Sequence, residues 1–72
     1  MHIKVETYSG YKADEYPKRF EKDGVMMDIV DIEDRWYDPQ ASYFRVFAAD
    51  ARRYILCMDN RSRLWNIKGS EA

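Results

Sequence analysis

The 72-residue chain is poor in the residues that staple or catalyse: one cysteine, one histidine, three glycines and two prolines. A lone Cys57 forms no internal disulfide, so the usual brace of a small secreted domain is missing. One His and one Cys do not make a four-ligand zinc site, and the isolated Gly10, Gly24 and Gly69 make no phosphate-cradling loop. No apolar run approaches the roughly 20 residues a membrane helix needs. The start, Met1-His2-Ile3-Lys4, lacks the basic-then-apolar order of a signal peptide. These absences lead us to expect one reduced, cytoplasmic, non-membrane domain over residues 1–72, with an ordered core near 3–67 and a flexible tail at 69–72.

Charge is present in quantity but unevenly placed. Residues 1–24 carry five basic and five acidic groups. Residues 25–38 set Asp28, Asp31, Glu33, Asp34 and Asp38 against Arg35 alone, a net of −4. Residues 39–72 carry six basic and three acidic groups, a net of +3. The simplest reading is exchange of charge between neighbouring strands. The alternative is a basic face for nucleic acid, which a sequence pI near 5.7 disfavours.

The hydrophobic pattern has the period of strands. Ile3, Val5 and Thr7 alternate with polar residues. Residues 8–16 have no clean period and read as an ordered loop. Asp23-Gly24 between two strand-like runs predicts a two-residue type I′ hairpin, whose turn positions both need positive φ. In the next strand the alternation slips at Val30-Asp31, the mark of a β-bulge. Phe44, Val46 and Ala48 alternate with Tyr43, Arg45 and Phe47; Tyr54, Leu56 and Met58 alternate with Ile55 and Cys57. Asp59-Asn60-Arg61-Ser62 reads as a turn. We therefore expect an all-β fold, a small bent antiparallel sheet or partly open barrel of five to six strands near 2–8, 18–22, 25–36, 43–49, 53–58 and 63–67. The competing α+β reading places a helix at 47–58, where Phe47, Ala51, Tyr54, Ile55 and Met58 form a helical stripe.

Tyr8-Ser-Gly-Tyr-Lys-Ala-Asp-Glu, Asp34-Arg35-Trp36-Tyr37, Tyr43-Phe44-Arg45-Val46, Arg53-Tyr54-Ile55-Leu56 and a late Trp65 resemble a family of small bacterial proteins, a domain of unknown function. Relatives of that family occur near translesion-type DNA polymerases. The resemblance spans roughly residues 3–67 and implies a turn, rather than a helix, before the Arg-x-Tyr-x-Leu strand. A turn with Gly is usual there. This chain has Asp50-Ala51, and a type I turn, with no positive φ at its central residues, would suit alanine.

No nucleophile–base pair is evident, so we expect no enzyme, no catalytic residue, no metal site and no cofactor. Cys57 reads as a buried, inert thiol. Consecutive acids along a strand point to opposite faces, which argues against metal binding by Asp28, Asp31, Glu33 and Asp34. Eleven residues are aromatic, six of them Tyr. Phe20, Phe44, Trp65 and Trp36 fit a core, with Trp36 the most costly to truncate. Tyr8, Tyr11, Tyr16, Tyr37 and Tyr43, with Arg35, gather around two loops and form the candidate binding patch, rimmed by Lys12, Asp14, Glu15 and Asp38. The expected function is a protein-interaction module whose partner is another protein, or a second copy through an edge strand. The alternative is an accessory single-stranded nucleic-acid-binding domain of DNA repair or replication using Arg45, Arg52, Arg53, Arg61 and Arg63.

Overall fold

The computed structural model describes residues 2–8 and 16–71, with the side chain of residue 71 left aside. The fold is all-β. Six strands, β1 (Val5–Tyr8), β2 (Tyr16–Lys22), β3 (Val25–Tyr37), β4 (Ala41–Ala48), β5 (Arg53–Asp59) and β6 (Trp65–Glu71), form one antiparallel meander in sequence order. No helix long and apolar enough to cross a membrane is present among the described residues. The sheet curls until its first and last segments meet: the Ile3 amide donates to the Trp65 carbonyl at 2.9 Å.

The curl has a sequence cause. In β3, Ile29 pairs with Ala48 and Asp31 with Phe47, leaving Val30 as the extra residue where the alternation slips. A second bulge follows at Glu33, between the pairs Ile32–Val46 and Asp34–Arg45. Further irregularities fall between Glu6 and Thr7 and between Ile55 and Leu56. Each bulge bends the strand and adds twist, which lets a small sheet wrap its own core. That core is Phe20, Phe44, Val46, Ala48, Tyr54, Leu56, Met58 and Trp65, flanked by Ile3, Val5, Tyr16, Met27, Ile29, Ile32 and Ile67.

The turns follow local chemistry. Asp23 (φ 52°) and Gly24 (φ 79°) form the two-residue turn with both φ positive. The 47–58 stretch is a hairpin, not a helix: the Ala48 carbonyl accepts from Ala51, and the Ala48 amide donates to Arg52. The expected accommodation of alanine is corrected here. Ala49 and Asp50 hold negative φ as a type I turn requires, but Ala51 follows at φ 65°, a position that favours glycine. The stripe Phe47–Met58 loses as a helix because alternation buries Tyr54, Leu56 and Met58 against β4 and β6, a packing no isolated amphipathic turn supplies.

Most strand boundaries differ from expectation: β1 begins later, at Val5, β4 earlier, at Ala41, and β6 later, at Trp65. Residues 69–71, expected to be a flexible tail, continue β6: Gly69 pairs with Ile55 and Ser70 with Tyr54. Strand β2 begins at Tyr16 and takes in Pro17, buried opposite Thr7 beside an irregular register step, one of the places a sheet tolerates proline. The expected loop at 9–15 lies outside the described residues.

Candidate interaction site at the aromatic end

A meander alternates its connections between two ends. The β3–β4 turn, the β5–β6 loop and the ladder partners Tyr8 and Tyr16 lie at one end; the Asp23-Gly24 turn and residues 49–52 lie at the other. Tyr8 and Tyr16 are therefore at the same end as Tyr37 and Tyr43. The Asn60 amide ties the β5–β6 loop to the β3–β4 turn by donating to the Gln40 carbonyl at 2.9 Å.

Asp38 organises this end. Its Oδ1 accepts from the amides of Gln40 and Ala41, each at 2.8 Å, and its Oδ2 accepts from the Tyr43 hydroxyl at 2.9 Å. The two backbone amides, then the hydroxyl, hold the Asp38 carboxyl below its ordinary value. The same bond pushes the Tyr43 phenol up. Pinned in this way, Tyr43 stacks on Trp36, ring centroids 5.5 Å apart and planes 10° from parallel.

Trp36 is the main correction to the sequence reading. It is 41% exposed on the outer face, not in the core. Uninterrupted alternation from Ile32 would have turned Asp34 and Trp36 inward. The extra residue at Glu33 reverses that, so Asp34 faces with Arg45 and Trp36 with Tyr43, while Arg35 pairs with core Phe44. The sequence held a usable hint: without the second bulge, the Asp34 carboxylate would point into the core, at high cost.

The remaining candidates divide. Tyr37 is 83% exposed and Tyr8 57% exposed. The Lys18 ammonium sits 5.5 Å from the Tyr8 ring centroid. Tyr16 is half-buried against the core, with the Arg35 guanidinium 4.9 Å from its ring centroid. Tyr16 and Arg35 thus sit on the side opposite Trp36 and Tyr43, so the expected patch wraps a rim rather than forming one plane. Tyr11, Lys12, Asp14 and Glu15 lie outside the described residues.

The arginines do not form one face. Arg45 and Arg53 converge on Glu33, with the Glu33 Oε1 3.9 Å from Arg45 Nε and 2.7 Å from Arg53 Nε. Arg53 also stacks on Phe47, 5.0 Å from the ring centroid. Arg61 and Arg63 lie in the loop at the aromatic end, and Arg52 lies at the opposite end. With the Arg19 contacts to Asp28 (3.1 Å) and Glu6 (3.7 Å), charge exchange between strands is the rule in this sheet.

Cys57 is buried beside Tyr43, and burial pushes its thiol up, away from the reactive thiolate. Among the described residues, no group of three or more His, Cys, Asp or Glu side chains is placed to hold a metal ion.

Compared with protein-family models, curated proteins and solved structures, this chain matches none.

Proposed function

We propose that this chain is a non-enzymatic protein-interaction module whose contact surface is the aromatic end. The observation that carries this reading is the exposure of Trp36, Tyr37 and Tyr8 at one end, outside a core already filled by Phe20, Phe44, Tyr54 and Trp65. Exposed aromatics backed by a fixed neighbour, as Trp36 is by Tyr43 and Tyr43 by Asp38, offer large contact area with little ordering cost on binding. A bacterial cytoplasmic setting is part of the proposal; it rests on the family resemblance and the single cysteine.

A photo-crosslinking residue in place of Tyr37, in native lysate, tests the reading. A discrete protein adduct is expected, strongly reduced by Trp36→Ala. Adducts insensitive to Trp36→Ala would overturn it.

The second reading, single-stranded nucleic-acid binding, is favoured by Arg61 and Arg63 standing at the aromatic end. It is disfavoured because Arg45 and Arg53 turn toward Glu33 and β3 is strongly acidic. Salt-sensitive binding of labelled single-stranded DNA, lost in an Arg61→Ala/Arg63→Ala variant, would replace the first reading.

A further inference from the structure

Strand β3 changes partners along its length. Val25 to Asp28 pair with β2, whereas Ile29 to Tyr37 pair with β4. The β2–β3 ladder stops at Arg19–Asp28, and β2 continues back toward Tyr16 beside β1. Among the described residues, no strand pairs with the second edge of Asp31–Tyr37. A side chain reaches across instead: Arg35 lies over the Tyr16 ring. In an antiparallel ladder, residues alternate in the direction of their amides and carbonyls, so about half of these backbone groups point away from β4. Every residue from Glu33 to Tyr37 is exposed.

The charge of this edge selects its occupant. Glu33 is engaged by Arg45 and Arg53, and Asp38 by its turn and Tyr43. Asp34 accepts the Arg35 amide and stands across the ladder from Arg45, yet among the described residues neither Asp34 nor Asp31 forms an ion pair. A second copy pairing through the same edge would set acid against acid. A nucleic-acid backbone carries the wrong sign. A basic strand suits both the carboxylates and the exposed indole of Trp36, over which a guanidinium or ammonium group stacks favourably.

We propose that the open edge at Asp31–Tyr37 is a strand-addition site for an extended segment of another protein bearing Lys or Arg at alternate positions. This rests on the interaction-module reading and specifies its mode and its partner chemistry.

The test uses a 12-residue peptide alternating lysine and valine, an equally long glutamate–valine peptide, and NMR of the isotope-labelled full chain. The lysine peptide is expected to slow amide exchange within residues 31–37 and to shift the Trp36 indole resonance. Asp31→Lys/Asp34→Lys changes two exposed residues, and an otherwise unchanged spectrum confirms its fold. It should weaken the lysine peptide by about tenfold and admit the glutamate peptide. Equal affinity in both chains, or no binding of the lysine peptide, overturns the proposal. Binding that perturbs the aromatic end while residues 31–37 stay unprotected overturns strand addition but leaves the interaction module standing. Protection of 31–37 in a peptide-free dimer makes a second copy the occupant and also overturns it. The Tyr37 crosslink judges the underlying reading separately.

Discussion

Ala51 shows how a single residue can be held against its preference. The type I turn at Ala49-Asp50 leads the chain into β5 only if the next residue takes positive φ, and Ala51 does so at 65°. Two contacts hold the turn: Asp50 accepts from the Arg52 amide and from the Tyr54 hydroxyl. Left-handed backbone costs an L-residue roughly 1–2 kcal/mol, a cost glycine escapes. Ala51→Gly is therefore expected to raise stability by about 1 kcal/mol, seen as a higher midpoint in urea. The same turn chemistry recurs in Asp38 and Asp59, whose carboxylates accept backbone amides, and these bonds hold all three carboxyls below their ordinary value. For Asp50 the Tyr54 hydroxyl is the largest cause. Because the folded carboxyls titrate lower than the unfolded ones, their stabilisation is complete above the unfolded value of about 4 and is lost as pH falls through the folded values. The partner phenols of Tyr43 and Tyr54 are held up, so the opposite loss occurs as pH climbs past about 10. Urea midpoints should fall at both extremes. Asp38→Asn and Asp59→Asn should each lower the midpoint at pH 7 and narrow the gap between pH 7 and pH 3.

At the scale of elements, strand β3 explains most of what makes this sheet particular. Its two extra residues, Val30 and Glu33, bend it without disturbing the inward set of Met27, Ile29 and Ile32. Deleting Val30 leaves Ile29 and Ile32 two residues apart, hence still on one face, so the β3–β4 ladder is expected to persist. What is lost is the bend. Hydrogen exchange should show amides in β4 and β5 nearly as protected as before, while the Ile3 amide loses its protection as the curled edges separate. Unchanged protection at Ile3 would contradict the role given to this bulge. The first bulge was legible in the sequence because Val30-Asp31 breaks an otherwise regular alternation. The second is legible only through the cost of an inward Asp34, because residues 33–37 show no clear alternation of apolar and polar sets. Trp36 was therefore read into the core when the register places it outside.

At the scale of the whole molecule, the two ends of the meander are joined by the Ile3–Trp65 bridge. Ile3→Pro removes the amide donor and much of a half-buried side chain, and should cost about 2–3 kcal/mol, read from the urea midpoint. For a domain this small with a single cysteine, that is a large share of its stability. The sequence alone determined the all-β class, the Asp23-Gly24 turn, the inward sets of β4 and β5 and the pairing of the acidic segment with arginines. These follow from period-2 alternation, positive φ at Asp-Gly and the opposite charges of adjoining strands, all of them local or nearest-neighbour properties. Only the tertiary structure decided that Trp36 stands outside on Tyr43, that Arg45 and Arg53 share Glu33, and that β3 leaves β2 for β4 after Asp28. Those depend on register, and one extra residue in a strand is enough to exchange its faces.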